Sequence, residues 1–589
     1  MTEEFGVRDG MGSDVDVRWD VRIPMRDGVY LSAILYVSKD QAAPAPTVFT
    51  LTPYIGQLHH NRGVYFASRG LPFLSVDVRG RGNSDGVFRP LYSEAQDGFD
   101  IVEWIARQTF CNGKVAMWGG SYEAYAQWAT ARKLPPHLAT IVPAASAYIG
   151  EDFPMRCNVP DPYLMQWLTL VAGKALQAQL FFNNELFWGA KFQSWFESGR
   201  PFKDLETIFG YESPAFQEWV AHPQQDKYWD QFNPTAEEYA ALTLPILTIT
   251  GIYDADQPGA LRHYREHTRY GSSDCRAQHY LVIGPWDHAG TRTPQREFVG
   301  VKVGPESMLD IPGLHHEWYV WTLQGGKRPE FLRKNVAYYV MGTEEWRYAD
   351  TLEAITAQLR PLYLRSSVNP TDVFHSGSLL LEPPRESRSD YYIYNPRDVS
   401  LAALEATVDP ESRTDLRMLY AAAGRHLVYH TPPFERDIEI GGFFKLSVWL
   451  RINQPDTDIK ATVYEIGVDG SGVLLSSDWL RARYRLSLRK AQLVTTLEPL
   501  QYDFERFTFV ARRLRKGSRL RLVIGPINSI YSQKNYNSGG VVAEESINDA
   551  HTVEVRLLHD REHPSSLQVP LLQSHDIEFK DSTEATVRT

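Results

Sequence analysis

The sequence predicts an α/β chain in three parts: a doubly wound, mostly parallel sheet, a helical insertion that splits it, and a C-terminal all-β jelly roll. Three observations carry this. Short apolar runs ending in glycine or polar residues alternate with helical patterns up to about residue 150. A long aromatic stretch of helical period follows, after which sheet-like sequence returns. Beyond about residue 335 helices become scarce and apolar residues recur with period two.

Taken in order, VRIPMRDGVYLSAILYV (21–37) reads as a hairpin turning at Asp27-Gly28. PTVFTLTPY (46–54) and LPFLSVDVRG (71–80) suit central strands of a parallel sheet, buried on both faces. SEAQDGFDIVEWIARQ (93–108) has helical spacing, and KVAMW and ATIVPAAS (139–146) are further strands. YLMQWLTLVAGKALQAQLFFNNELFWGAKFQSWF (163–196) reads as a cap over the sheet; its aromatics Trp167, Phe181, Phe182, Phe187 and Trp188 line an apolar acyl pocket or form the cap's own core. LPILTITGIYDAD (244–256) and HYLVIGPWDHAG (279–290) resume the sheet. VAYYVMG, FFKLSVWLRI, KATVYEIGV, RFTFVARRL and SRLRLVIGP then alternate in period two. The expected parts are the sheet domain at 1–148 and 241–334, the cap at 149–240 and the jelly roll at 335–589, tightly packed because no Pro/Ser-rich linker separates them.

Bulk properties narrow the class. With 589 residues, 43% of them hydrophobic and 23% charged, the chain can bury a large core. Three cysteines, Cys111, Cys157 and Cys275, form no CxxC and fit a reducing compartment. The net charge of −11 argues against a nucleic-acid partner. The N-terminal segment is acidic without an apolar core, and no apolar run reaches membrane-spanning length, so a cytoplasmic protein with no membrane partner is expected. His59-His60 and His315-His316-Glu317 lack the HExxH spacing and read as surface residues; no metal or cofactor is expected.

VAMWGGSYEAYAQW (115–128) reads as a buried strand, a glycine corner bearing Ser121, and a helix. That arrangement is a nucleophile elbow: the turn is sharp, small neighbours let strand and helix approach, and the serine Oγ stands above the sheet edge. Gly119 and Gly120 precede Ser121; Ala124 and Ala126 follow it. The backbone N–H of Tyr122 opens the helix and can point at a developing oxyanion. The triplet alone also fits a structural turn serine. A serine nucleophile needs a base, and in this architecture the acid and the histidine follow at the ends of later strands. Asp254 follows the strand ILTIT, and His288 follows HYLVI. Asp256 and Asp287 are rival acids nearby, and an Asp after a strand also serves as a turn or cap residue.

Several co-linear motifs resemble the CocE/NonD hydrolases, which include bacterial cocaine esterase, the α-amino-acid ester hydrolases and the X-Pro dipeptidyl-peptidases. IPMRDGVYLSAILYV resembles the family's opening hairpin, DVRGRGNSDG (77–86) its D-x-R-G-x-G-x-S-x-G segment, and NGKVAMWGGSYEA its elbow. HPQQDKYWDQFNP (222–234) resembles its H-P-x-x-D-x-Y-W stretch, and GPWDH its G-P-W-x-H. VMGTEEWR and NYNSGG resemble landmarks of its jelly roll. The resemblance covers nearly the whole chain and implies an α/β-hydrolase fold with Ser121 as nucleophile, His288 as general base and Asp254 as its orienting acid. It also implies an oxyanion hole of the Tyr122 N–H and the Tyr54 hydroxyl, a good donor that stays neutral near pH 7. Ala124 departs from the family's usual elbow glycine, and Cys111 stands where serine or aspartate is commoner.

The resemblance implies a small ester, amide or short peptide as substrate and leaves the acyl group open. Cocaine-esterase-like members take apolar aromatic acyl groups; the α-amino-acid ester hydrolases hold a substrate ammonium in a carboxylate cluster. By the latter pattern Glu151, Asp152 and Asp256 form an acidic pocket, with Gln257 where a further acid is expected. Hydrolysis, transfer of the acyl group to an amine, and X-Pro dipeptidyl-peptidase-like cleavage all share the first half-reaction. A homo-oligomer stays open.

Overall fold

A computed structural model of the chain describes residues 14–177, 179–385, 388–573 and 577–579. Its first part is built on ten strands: β1 (Val15–Pro24), β2 (Tyr30–Ser38), β3 (Ala45–Thr52), β4 (Phe73–Asp77), β5 (Cys111–Gly120), β6 (Leu138–Ala144), β7 (Ile246–Gly251), β8 (His279–Gly284), β9 (Val336–Val340) and β10 (Glu345–Ala349). They lie in the order β1-β2-β4-β3-β5-β6-β7-β8-β9-β10. From β4 to β9 every pairing is parallel; the β2–β1 hairpin and β10 run antiparallel at the two edges. Every residue of β4, β7, β8 and β9 is buried, which explains their continuous apolar runs.

Helices cover both faces. α1 (His60–Ala67) belongs to one apolar cluster against the sheet. α2 (Glu94–Ile105) and α3 (Tyr122–Ala131) belong to the cluster on the other face. The insertion supplies α4 (Tyr163–Leu170) and α5 (Glu185–Ser198), whose Trp167, Trp188, Phe192 and Trp195 form a separate core with Phe216 and Trp219. α6 (Gln257–Tyr270) and α7 (Ile311–Gln324) complete the sheet domain; α7 packs on the face that α1 covers. No helix among the described residues is long and apolar enough to cross a membrane.

One expectation shifts. VAYYVMG and EWRYA, expected in the all-β part, instead pair with β8 and with β9 respectively and extend the first sheet to residue 349. Period-two alternation identifies a strand, but the sheet it joins is decided by hydrogen-bond partners far along the chain.

The all-β domain begins with the strand Gln358–Arg365. In Lys445–Ile452 the residues Leu446, Val448, Leu450 and Ile452 point into the core while their neighbours are more exposed. The NYNSGG segment has a structural explanation. Asn535 donates to Asp456 (2.9 Å) and Asp458 (2.8 Å), and these carboxylates pair with Arg483 (2.7 Å) and Arg481 (2.8 Å). A buried pair is tolerable only when such extra hydrogen bonds satisfy it. The domain docks through Gln257, the first residue of α6. Its amide donates to the carbonyls of Gly251 (3.1 Å), Ile252 (3.0 Å) and Phe509 (3.2 Å) and accepts from the Phe509 N–H (2.6 Å). A carboxylate there could not donate, which accounts for glutamine at this position.

Three buried histidines, His263 and His267 on α6 and His279 on β8, are held neutral. His263 stacks on Trp128 with ring centroids 4.7 Å apart and bonds the Tyr239 hydroxyl at 2.6 Å. His267 and His279 share an Nδ1–Nδ1 hydrogen bond of 2.9 Å. Burial drives all three pKa values down, that of His263 to about 3. Below pH 6.5 the unfolded chain takes up protons that the folded chain refuses, so this contribution to stability is lost as pH falls. His263→Phe keeps the stacking and removes one such site. Below about pH 6, urea unfolding should therefore show a pH slope shallower than wild type by up to about 1.4 kcal/mol per pH unit. Equal slopes would show that His263 titrates alike in both states.

Candidate active site

β5 ends at Gly120 and α3 begins at Tyr122, so Ser121 is the single residue of the turn, at φ 61° and ψ −126°. Non-glycine residues avoid this region. The neighbourhood holds it there: the Ser121 N–H donates to the Ala144 carbonyl (2.9 Å), and its carbonyl accepts from the N–H groups of Ala124 (2.9 Å) and Tyr125 (3.1 Å). Both glycines are required. A Cβ on Gly119, at φ 146°, would lie 2.4 Å from the Glu123 Cβ, and one on Gly120 would lie 2.3 Å from the Arg292 Nη1.

Asp254 lies just beyond β7 and His288 just beyond β8, with His288 Nδ1 2.8 Å from Asp254 Oδ1. Asp254 is fixed by the Thr250 hydroxyl (2.9 Å) and the Asp256 N–H (3.0 Å). With Nδ1–H bonded to the carboxylate, the Nε2 lone pair is left to accept a proton. Burial opposes the imidazolium, but the hydrogen bond and charge of Asp254, followed by the charge of Asp256, outweigh it and raise the His288 pKa. Asp256 Oδ2 lies 3.8 Å from His288 Nδ1.

The Tyr54 hydroxyl accepts from the Trp167 indole N–H (3.1 Å) and is hydrogen-bonded to Ser121. Burial pushes its pKa up to about 12, so it remains a protonated donor. The Tyr122 phenol is committed elsewhere: it donates to Glu94 Oε1 (2.5 Å) and accepts from the Leu91 N–H (2.7 Å). This anchors α3 and leaves the Tyr122 backbone N–H in the first helical turn, where no intrahelical acceptor exists. Ser121, His288, Tyr54 and Tyr122 all line one cavity of about 530 Å³, roofed by Trp167, Phe182 and Trp188 of the insertion.

The sequence profile of the X-Pro dipeptidyl-peptidase (S15 family) matches residues 27–290, and that of the X-Pro dipeptidyl-peptidase C-terminal non-catalytic domain matches 331–568. The cocaine esterase of a Rhodococcus species is 24% identical, over 94% of this chain and 98% of its own. A Mycobacterium bovis protein bearing the name serine esterase is 31% identical, over 79% of this chain and 80% of its own. The chain belongs to the CocE/NonD and S15 family of serine hydrolases. The fold agrees: the crystal structure of an aminopeptidase from a Thaumarchaeota archaeon superposes with a TM-score of 0.81 at 20% identity, covering 97% of this hydrolase and 98% of that chain.

Of the three acids expected around the acyl group, Asp256 lines the cavity and the other two do not. Glu151 lines a separate cleft of about 930 Å³, 4.0 Å from Arg262. Asp152 accepts from the N–H groups of Tyr148 (2.8 Å) and Gly259 (2.5 Å), bracing the start of the insertion against the first turn of α6. Four acids not singled out in the sequence line the cavity instead: Asp161 and Glu185 from the insertion, and Asp409 and Glu411 from the all-β domain. Asp161-Pro162 reads locally as a helix start and Asp409-Pro410-Glu411 as a turn; nothing in either segment reveals which cavity it meets. No lysine or arginine is among the described residues lining this hydrolase's cavity. Burial raises both Asp161 and Asp256 to about 7; the Tyr163 and Leu164 N–H groups pull Asp161 down, and His288 pulls Asp256 down. His315, expected at the surface, is buried in α7 and accepts the Trp118 indole N–H (3.1 Å). Its neighbours on the helix face the sheet, and helical period alone did not settle which face His315 joins.

Proposed function

We propose that this hydrolase cleaves an ester or amide bond through an acyl-enzyme on Ser121 and prefers acyl groups carrying an ammonium. The observation that carries this reading is the shared cavity: an elbow serine and an Asp-oriented imidazole among carboxylates, with no lysine or arginine among its described lining residues. Ser121 Oγ attacks the substrate carbonyl carbon and its proton passes to His288 Nε2, while Asp254 stabilises the imidazolium. The carbonyl π electrons move onto oxygen, which accepts hydrogen bonds from the Tyr54 hydroxyl and the Tyr122 N–H. Collapse expels the leaving group, protonated by His288. Water then repeats the sequence on the acyl-enzyme and frees the acid.

The acidic wall supports the ammonium preference. Asp161 and Asp256 hold protons near neutral pH because burial penalises their charged forms, and neighbouring carboxylates add to the effect. Asp161 Oδ1 is buried without a hydrogen-bond partner among the described residues. A bound ammonium supplies the missing charge and donors, whereas an uncharged acyl group leaves them unsatisfied.

Intact-protein mass after brief mixing with two activated esters, one with a free α-amino group and one with hydrogen there, tests this reading. The amino ester should acylate the protein about tenfold faster or more, and Ser121→Ala should show no adduct. A faster desamino ester sinks the ammonium preference; no adduct from either sinks the nucleophile. Asp161→Asn should raise KM for the amino ester about tenfold and leave the desamino ester unchanged.

Tyr54→Phe should lower kcat for both esters by about 10–1000-fold with little change in KM, as expected for a donor whose bond strengthens in the transition state. An unchanged kcat would remove Tyr54 from the oxyanion hole.

A further inference from the structure

The charges around His288 pose a problem. Asp254 lies 2.8 Å from Nδ1 and Asp256 3.8 Å, both from the turn after β7. Asp287 is its chain neighbour, and Glu411 reaches it electrostatically from the all-β domain. Each of these carboxylates favours the imidazolium, which cannot accept the serine proton. A cavity that attracts cations therefore tends to disable its own base.

Arg413 answers Glu411 within the all-β domain; at the elbow, Arg292 stands against the rest. Arg292 lies four residues beyond His288, its N–H bonded to the Ala289 carbonyl at 3.1 Å. Its guanidinium rests on the backbone of Gly120: a Cβ there would come within 2.3 Å of Nη1 and 2.7 Å of Cδ. It thus sits behind the residue that precedes Ser121. Arg292 Nη1 is buried without a hydrogen-bond partner among the described residues. The charged and titratable groups facing Arg292 come from several elements: Tyr54 beyond β3, Arg62 on α1, Glu123 on α3, Asp256 after β7 and His288 in its own loop. Glu123 is already committed to His59 at 2.7 Å, so its charge is shared rather than given to Arg292.

We propose that Arg292 is a positioning residue for the base: its fixed positive charge offsets part of the pull of the carboxylates around His288 and favours the neutral imidazole, while its guanidinium props Gly120 at the elbow. The reading rests on His288 being the general base. A guanidinium suits the task because it stays charged at every working pH and is less strongly hydrated than an ammonium. Leaving Nη1 unpaired keeps its charge available, since a carboxylate partner would cancel it. Arg292 pulls the pKa of His288, Asp256 and Tyr54 down together. The bare Cα of Gly120 is the complement of this placement.

The test is the pH profile of kcat/KM for p-nitrophenyl acetate, whose acyl group does not ionise, normalised to competent sites by fluorophosphonate titration. Arg292→Gln should move the acid limb up by about one pH unit, so the rate falls about tenfold at pH 5.5 and less than about threefold at pH 8.5. Arg292→Lys, which keeps the charge, should hold the limb near its wild-type position. Should the Gln variant fail to fold, Arg292→Met repeats the measurement. An unmoved limb, or a loss uniform across pH, would overturn the proposal. Turnover with an intact limb in His288→Ala would instead remove the base assignment, and the proposal with it.

Discussion

A serine held at φ 61° persists only where its surroundings leave the backbone no alternative. Strain of this kind costs on the order of 1–3 kcal/mol, and much of the sheet domain supplies the constraint. β6 fixes the Ser121 N–H through the Ala144 carbonyl, and α3 takes its carbonyl. The Tyr122 phenol ties the start of α3 to Glu94 on α2 and to Leu91. Gly119 and Gly120 are bare because Glu123 and Arg292 occupy the space a methyl group would need. The turn that exposes one hydroxyl is therefore a product of four elements and one later loop.

The second constraint is electrostatic. Five carboxylates lining one cavity, with no lysine or arginine among its described lining residues, are unfavourable unless some hold protons or meet a counter-charge. Raised pKa values at Asp161 and Asp256 are the resting answer, and a cationic substrate is the working one under the proposed function. Arg292 is placed where it answers for the base without entering the cavity. The proposed substrate preference and the proposed base strength are then two consequences of one charge distribution.

Much of this was legible in the sequence, for physical reasons that also mark the limit. Parallel strands buried on both faces announce themselves as unbroken apolar runs, and the elbow as glycines beside a serine. Asp254 and His288 followed because each sits directly after such a run, and the structure holds them 2.8 Å apart. Asp161, Asp409 and Glu411 were not legible. Each lies beside a proline in a segment whose local chemistry is ordinary, and none comes from the sheet domain that holds Ser121. Glu151 and Asp152 show the converse: acids near the right place in the chain, one turned to another cleft and one spent on backbone N–H groups. Proximity in sequence fixed their neighbourhood and left their direction open.

The junction between Asp256 and Gln257 joins these constraints. Asp256 faces the cavity, and the next residue clamps the all-β domain through Phe509 while also binding the carbonyls of Gly251 and Ile252. The same domain sends Glu411 to the cavity from the other side. A small rotation of that domain would move both carboxylates relative to His288, one through the Gln257 clamp and one directly. Neither the proposed nucleophile nor the proposed base lies in the all-β domain, yet its seating sets the charge that both must work in. Docking of a domain without reacting groups is in this sense part of the chemistry, because the field at His288 depends on where that domain rests.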